Sequence, residues 1–139
     1  MEDKKISVVI LTRNEERNIR ACLEGCSFAD EIIVVDCGIA FPDEEMYGVD
    51  LIIPDISYLK NNVKKIKGIF LTHGHEDHIG SLPYVLKEVN VPIYGTKLTI
   101  GIVKTKLEEH NLLSEVKLHN VEAGDIIKFD KFKVEMQGI

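Results

Sequence analysis

The sequence predicts an α/β domain built around a parallel sheet, and three observations carry that prediction. Apolar runs of strand length alternate with helix-length stretches along most of the chain, the pattern of layered α/β proteins. The first two apolar runs are separated by one helix-sized segment, which favours a parallel pair joined by a right-handed crossover. At 139 residues, 45% hydrophobic and without an internal repeat or Gly/Ser linker, the chain reads as one domain with enough apolar material for a core.

The elements follow in order. Ile6 to Leu11 reads as a buried strand, Glu15 to Cys26 as a helix and Glu31 to Val35 as a second strand. Gly38 to Gly48 is a loop, and Leu51 to Ile53 a short strand ended by Pro54-Asp55. Ile66 to Leu71 is a strand; Leu82 to Val89 and Leu98 to Glu108 are helices around the strand Val91 to Tyr94. Val116 to Leu118, Asp125 to Phe129 and Phe132 to Met136 complete the strands, with a turn at Ala123-Gly124-Asp125.

Directly after the strand that ends near Leu71 comes Thr72-His73-Gly74-His75-Glu76-Asp77-His78. Imidazoles and carboxylates this close together point to a cation that holds them, and mixed His/Asp ligation suits a hydrolytic centre of Zn²⁺, with Mn²⁺ as the second choice. A solvated polar turn is the competing interpretation. His73 and His75, two apart on an extended loop, point the same way and can pinch one ion. A helix starting near Glu76 would swing Asp77 and His78 to the other side, where they can hold a second. Two neighbouring ions clamp both oxygens of an in-line displacement at phosphorus, so hydrolysis of a phosphodiester or a similar ester is expected.

This run of the form H-x-H-x-D-H after a strand resembles the signature of the metallo-β-lactamase superfamily. Its surroundings narrow the likeness: Ile33-Val34-Val35-Asp36-Cys37-Gly38, Phe41-Pro42, Asp50 to Leu59, Lys67 to Tyr84 and Pro92 to Thr99 are similar to the N-terminal part of the ribonuclease J family. The resemblance covers about Asp30 to Glu135. It implies a partial metallo-β-lactamase-like sandwich, one ββα half of an αββα fold, preceded by the N-terminal βαβ unit. It also implies that His73 and His75 bind one metal and Asp77 and His78 the second, with Asp77 orienting the attacking water. Asp36 and Thr72 would brace the ligand loop from behind, as outer partners of metal ligands do. RNA is the substrate the resemblance implies. The uncovered half of the sandwich makes a homodimer an expectation as well.

Two departures qualify that likeness. A complete site of the family takes a further His, a bridging Asp and another His from later in the chain, and neither His110 nor His119 stands in a matching context. The front end is also different. Ile6 to Ile19, followed by Cys22-Leu23-Glu24 and Ala29 to Asp36, resembles the first strand, helix and strand of a family-2 glycosyltransferase. That resemblance divides the chain into a glycosyltransferase-like segment over 1–36 and a truncated metallo-β-lactamase-like segment over 30–139. It implies a recombined or designed chimera, or a nucleotide-sugar-binding remnant, although no Asp-x-Asp occurs in the sequence. Thr12, Asn14 and Glu15 read equally well as helix N-terminal residues that satisfy free backbone N–H groups. A metal-binding ribonuclease J-like segment, weak or inactive alone, is the leading expectation.

Charge and cysteines add bounds. The net charge of −6 argues against a surface that grips nucleic acid throughout. Lys60, Lys64, Lys65 and Lys67 form a local basic cluster that could meet a phosphate backbone or simply be a solvated face. Cys22 and Cys26 share a helix face and are expected to pack as small hydrophobes. Cys37, beside Asp36, could serve as a ligand only as a thiolate. No apolar run approaches the ~20 residues that cross a bilayer, and Met1-Glu2-Asp3-Lys4-Lys5 is not a signal peptide, so the cytoplasm is the expected compartment.

Overall fold

A computed structural model describes residues 16–138, with side chains from residue 21 onward. The expected first strand, Ile6 to Leu11, and the Thr12–Glu15 turn lie outside the described residues, as does the crossover they would make.

The described chain is α/β, consistent with a partial metallo-β-lactamase fold. Helix α1 (Glu16–Gly25) leads to strand β1 (Ile32–Val35); helix α2 (Ser57–Asn61) and a 3-10 turn at Val63–Lys65 precede β2 (Ile66–Phe70). Helices α3 (Glu76–Ile79) and α4 (Leu82–Glu88) then lead to β3 (Ile93–Gly95) and α5 (Lys97–Glu109). A second 3-10 turn at Leu113–Glu115 and strands β4 (Leu118–Asn120), β5 (Ile126–Lys128) and β6 (Lys133–Glu135) follow. Strands β1 to β4 form one parallel sheet in the order β1-β2-β3-β4, and β5 pairs with β6 as an antiparallel hairpin.

The strand alternation gives the parallel sheet two different faces. Ile69, Leu71 and Ile93 are buried with Leu82, Val85 and Leu86 of α4 and with Ile100, Val103 and Leu107 of α5. In α5 the buried positions 100, 103 and 107 recur at helical spacing, so one stripe meets the core and the opposite stripe faces water. Thr96 caps this helix by accepting the Thr99 N–H. On the other face of the sheet the in-register pair Phe70 and Tyr94 stack at 4.5 Å, and His119 stacks on Tyr94 at 4.7 Å. Phe129 of the hairpin presents its edge to Phe70 and Tyr94.

Glu31 fastens the hairpin to this face. Its side chain is 4% exposed, accepts the Lys131 backbone N–H through Oε2 at 2.9 Å, and faces Lys67 Nζ at 3.4 Å through Oε1. Oε1 itself makes no hydrogen bond, so the ammonium is what offsets the burial of that carboxylate.

Several expectations need correction. Leu51 to Ile53 is not a strand; only Ile52 forms an isolated antiparallel bridge, with Ala40. The helix Ser57–Asn61 was not foreseen. Its start is held by Asp55, whose Oδ1 accepts both the Ser57 N–H (2.9 Å) and the Ser57 hydroxyl (2.6 Å), a short-range signal after Pro54. The strand expected at Val116 to Leu118 is displaced to Leu118–Asn120, because Ile93 sets the register by pairing with Leu118. Cys22 is exposed and Cys26 half-buried, so Cys22 does not pack in a core.

Gly68 marks where the aromatic face leaves no room. A Cβ there would sit 2.7 Å from Tyr94 Cε2 and 2.9 Å from the Pro92 carbonyl oxygen. Gly68→Ala is therefore expected to lower stability by about 1–3 kcal/mol through overpacking. Urea unfolding should show a lower midpoint with an unchanged slope; an unchanged midpoint would remove the constraint.

Candidate metal centre

The candidate residues gather at the carboxyl ends of β1 and β2, where neighbouring parallel strands release their loops. Asp36 follows directly on β1, and its φ of 61° turns the chain out of the strand direction. Asp is one of the few residues that adopts this left-handed conformation readily. The Asp36 N–H still donates to the Phe70 carbonyl at 2.9 Å, so the carboxylate stays in register beside the end of β2.

That carboxylate collects three hydrogens. Oδ1 accepts the Thr72 backbone N–H at 2.8 Å; Oδ2 accepts the Thr72 hydroxyl at 2.8 Å and lies 2.7 Å from His78 Nδ1. An ionised carboxylate only accepts, so His78 carries a proton on Nδ1, and the neutral ring then presents its lone pair on Nε2. The same bookkeeping reaches His73. Its Nδ1 lies 3.0 Å from Thr72 Oγ1, whose single hydrogen is already given to Asp36. His73 Nδ1–H must therefore donate to Thr72, leaving the lone pair of His73 on Nε2.

The second half of the site is delivered by α3. His75 is its extended N-cap residue, and the His78 and Ile79 N–H groups return to the His75 carbonyl at 2.9 and 3.0 Å. This single turn is zipped to the loop after β1: Cys37 N–H donates to the His78 carbonyl at 2.6 Å, and Ile39 N–H to the Glu76 carbonyl at 3.3 Å. Gly38 lies between these bonds, where any Cβ would fall on the Asp77 carbonyl. Glycine at 38 is thus what lets α3 sit against β1.

His73, Asp77 and His78 are brought together, each offering one ligand atom within 4.8 Å of the others. The His73 and His78 rings lie 3.9 Å apart, and Asp77 Oδ2 is 3.4 Å from His78 Nε2. His75 is exposed; its ring stands edge-on to His73 at 4.6 Å and is outside that three-residue group. Thr72 lies behind the imidazoles in contact with both His73 and His78, and Asp36 reaches His78 directly and His73 through Thr72.

Other titratable candidates are occupied elsewhere. His110 ends α5 with its ring against Tyr84, and His119 is stacked on Tyr94. Cys37 is buried, bonded to the Ser81 hydroxyl at 3.2 Å, and burial pushes its thiol up to about 11. It is a packed thiol and not a thiolate donor. The basic cluster is largely committed: Lys65 Nζ donates to the Ser27 and Ala29 carbonyls, Lys67 faces Glu31, and Lys60 pairs with Glu88.

Two measurements check this geometry. Asn accepts the left-handed backbone of Asp36, but its amide would donate to His78 Nδ1 and free the Thr72 hydroxyl to donate to His73. In ¹⁵N NMR of metal-free protein at neutral pH, Asp36→Asn should move the proton of both rings from Nδ1 to Nε2; unchanged tautomers would refute the relay. For Cys37 the folded pKa lies above the ordinary 9.0. Its contribution to stability is complete below that value and is lost as pH rises through about 11. At pH 8 iodoacetamide should modify Cys22 and spare Cys37 until the chain unfolds.

Comparison with known proteins agrees with the geometry. The sequence profile of the metallo-beta-lactamase superfamily matches residues 28–135. The chain is 42% identical over 110 residues to ribonuclease J 1 of Streptococcus pyogenes serotype M3, covering 79% of this chain and 20% of that protein. It is 44% identical over 105 residues to ribonuclease J 2 of Staphylococcus aureus, and 45% over 105 residues to ribonuclease J 2 of Staphylococcus epidermidis. In both, 76% of this chain and 19% of the relative are covered. The chain thus spans about a fifth of the length of the curated relatives it matches.

Proposed function

The chain belongs to the metallo-beta-lactamase superfamily, and we propose that it is a metal-binding segment of a ribonuclease J-like hydrolase that acts on the phosphodiester bonds of RNA. The observation that carries this reading is the convergence of His73, Asp77 and His78 in front of the Asp36–Thr72 relay. The donor set fits a divalent ion: two imidazoles with outward Nε2 lone pairs and one exposed carboxylate, all within 4.8 Å. RNA enters from the names of the relatives, each called ribonuclease J.

His73, Asp77 and His78 would hold a Zn²⁺ or Mn²⁺ ion, with His75 placed beside His73 to take part in a second; the division into His73 with His75 and Asp77 with His78 belongs to the proposal. A bound ion of this kind supplies Lewis acidity toward a phosphoryl oxygen and a nucleophile at neutral pH. The protein's own residues do the rest. Asp36 and Thr72 hold the imidazole protons on Nδ1, so neither ring can rotate or change tautomer without breaking hydrogen bonds. Asp77, exposed at the rim, can accept a proton from an attacking water and orient it along the phosphorus axis. The protonation of the leaving oxygen is assigned to none of the described residues. By itself this segment is proposed to bind metal and to cleave RNA weakly.

Calorimetry on metal-stripped protein is the direct test. Stoichiometric Zn²⁺ or Mn²⁺ binding is expected, abolished in His73→Ala/His75→Ala. Asp36→Asn should keep the fold and weaken binding about 10–100-fold, the usual effect of losing an outer hydrogen-bond partner. A chain that binds neither ion would sink the reading.

A further inference from the structure

The solvent face of α5 carries apolar side chains in a pattern that the core does not use. We infer that this face is the contact for a second copy of the chain, with α5 packed antiparallel against α5. The inference goes beyond the metal centre and does not depend on what that centre does.

Leu98, 76% exposed, and Ile102, 41% exposed, stand in the middle of the face, and with Gly101 and Thr105 they line a shallow open groove. At helical spacing, positions 97, 98, 101, 102, 105, 108 and 109 fall on one exposed side, opposite the buried 100, 103 and 107. Gly101 makes a dip in that side. A Cβ there would meet nothing within 4 Å, so a second helix can approach closely at this point.

The order of charges along the helix names the occupant. Lys97 is the first residue of α5, and Glu108 and Glu109 are the last two. Each stands at the unfavourable end of the helix dipole, which prefers acids at the N-terminus and bases at the C-terminus. Among the described residues none of the three is in an ion pair, whereas Lys106 is held by Glu76 at 2.8 Å. Lys104 is exposed at the outer edge of the face, four residues before Glu108 and outside the apolar seam.

An identical helix, turned end for end about a twofold axis near Ile102, presents the reverse order of charge. Lys97 of each copy then meets Glu108 and Glu109 of the other, and it does so twice because the contact is self-complementary. Ile102 meets Ile102 beside the axis, and Thr105 of one copy lies over Gly101 of the other. A nucleic-acid strand does not fit the whole face: its phosphates would be drawn to Lys97 and repelled by Glu108 and Glu109 at the far end. One helix against one helix is a small contact, so the association is expected to be reversible and weakened by salt.

Sedimentation velocity of the whole chain reads the pairing directly, with chelator present so that no ion bridges two copies. Wild type is expected to pass from monomer to dimer as its concentration rises toward the millimolar range. Lys97→Glu and the double variant Glu108→Lys/Glu109→Lys each set like charges together at both ends of the seam. Each is expected to raise the dissociation constant about tenfold. Both changes suit the helix dipole better than the wild-type residues do, so the Tm should hold or rise and lost pairing is not lost folding. Mixed in equal amounts, the two variants present opposite charges at both ends, and a heterodimer as tight as the wild-type dimer is expected. A wild type that stays monomeric overturns the inference. So does a dimer that persists unweakened in both variants, which places the contact on another surface, and so does a mixture that stays monomeric.

Discussion

One carboxylate organises this end of the molecule. Asp36 accepts three hydrogens from Thr72 and His78 while its own backbone N–H remains bonded to β2. Those contacts join the ends of two strands, the start of the ligand loop and the last turn of α3. Charged acceptors make stronger hydrogen bonds than neutral ones, and here the bonds share two oxygens, so losing the charge weakens all of them together. The left-handed backbone of Asp36 is the local cost of aiming the carboxylate across to β2 and not along its own strand.

The loop is held from the opposite side as well. Ile102 of α5 packs against Gly74, and Lys106 reaches Glu76 at the first turn of α3. Half of the Glu76 side chain is exposed, so this ion pair contributes little by itself. The closer constraint is steric. Gly38, Gly74 and Gly80 each stand where a Cβ would run into a neighbouring element: Asp77, Ile102 and Glu76, respectively. Hydrogen bonds aim the rings, and the missing side chains let the elements come close enough for those bonds to form.

Much of this was legible in the sequence because it is local. The run from His73 to His78 sits in one loop and one helical turn, so spacing alone places its side chains near each other. Strands β2 and β3 and helices α4 and α5 were foreseen within a residue or two, since each combines an apolar stripe with clear flanking signals. What escaped depends on distant partners. Nothing near Lys65 or Lys67 foretells that Ser27, Ala29 and Glu31 consume them. The residues Leu51 to Ile53 look like a strand, but only Ile52 finds a partner, and a strand needs a ladder. The extended backbone of His75 and the helix start at Glu76 match the expectation, but the grouping of Asp77 and His78 with His73, which leaves His75 outside, does not follow from spacing.

The order of protons also explains how three donors can gather before any ion arrives. Rings 3.9 Å apart would repel if both were cationic. The relay through Thr72 and Asp36 gives the Nδ1 hydrogen of each ring a protein acceptor, so the Nε2 atoms of the neutral rings are left for an ion. Asp77 then supplies negative charge on the open side, where water still solvates it. A donor set arranged this way needs little reorganisation to accept a cation, because its hydrogens already point into the protein. The preorganisation lives in β1 and in the turn after β2, and it depends on Asp36 remaining an acceptor at every bond.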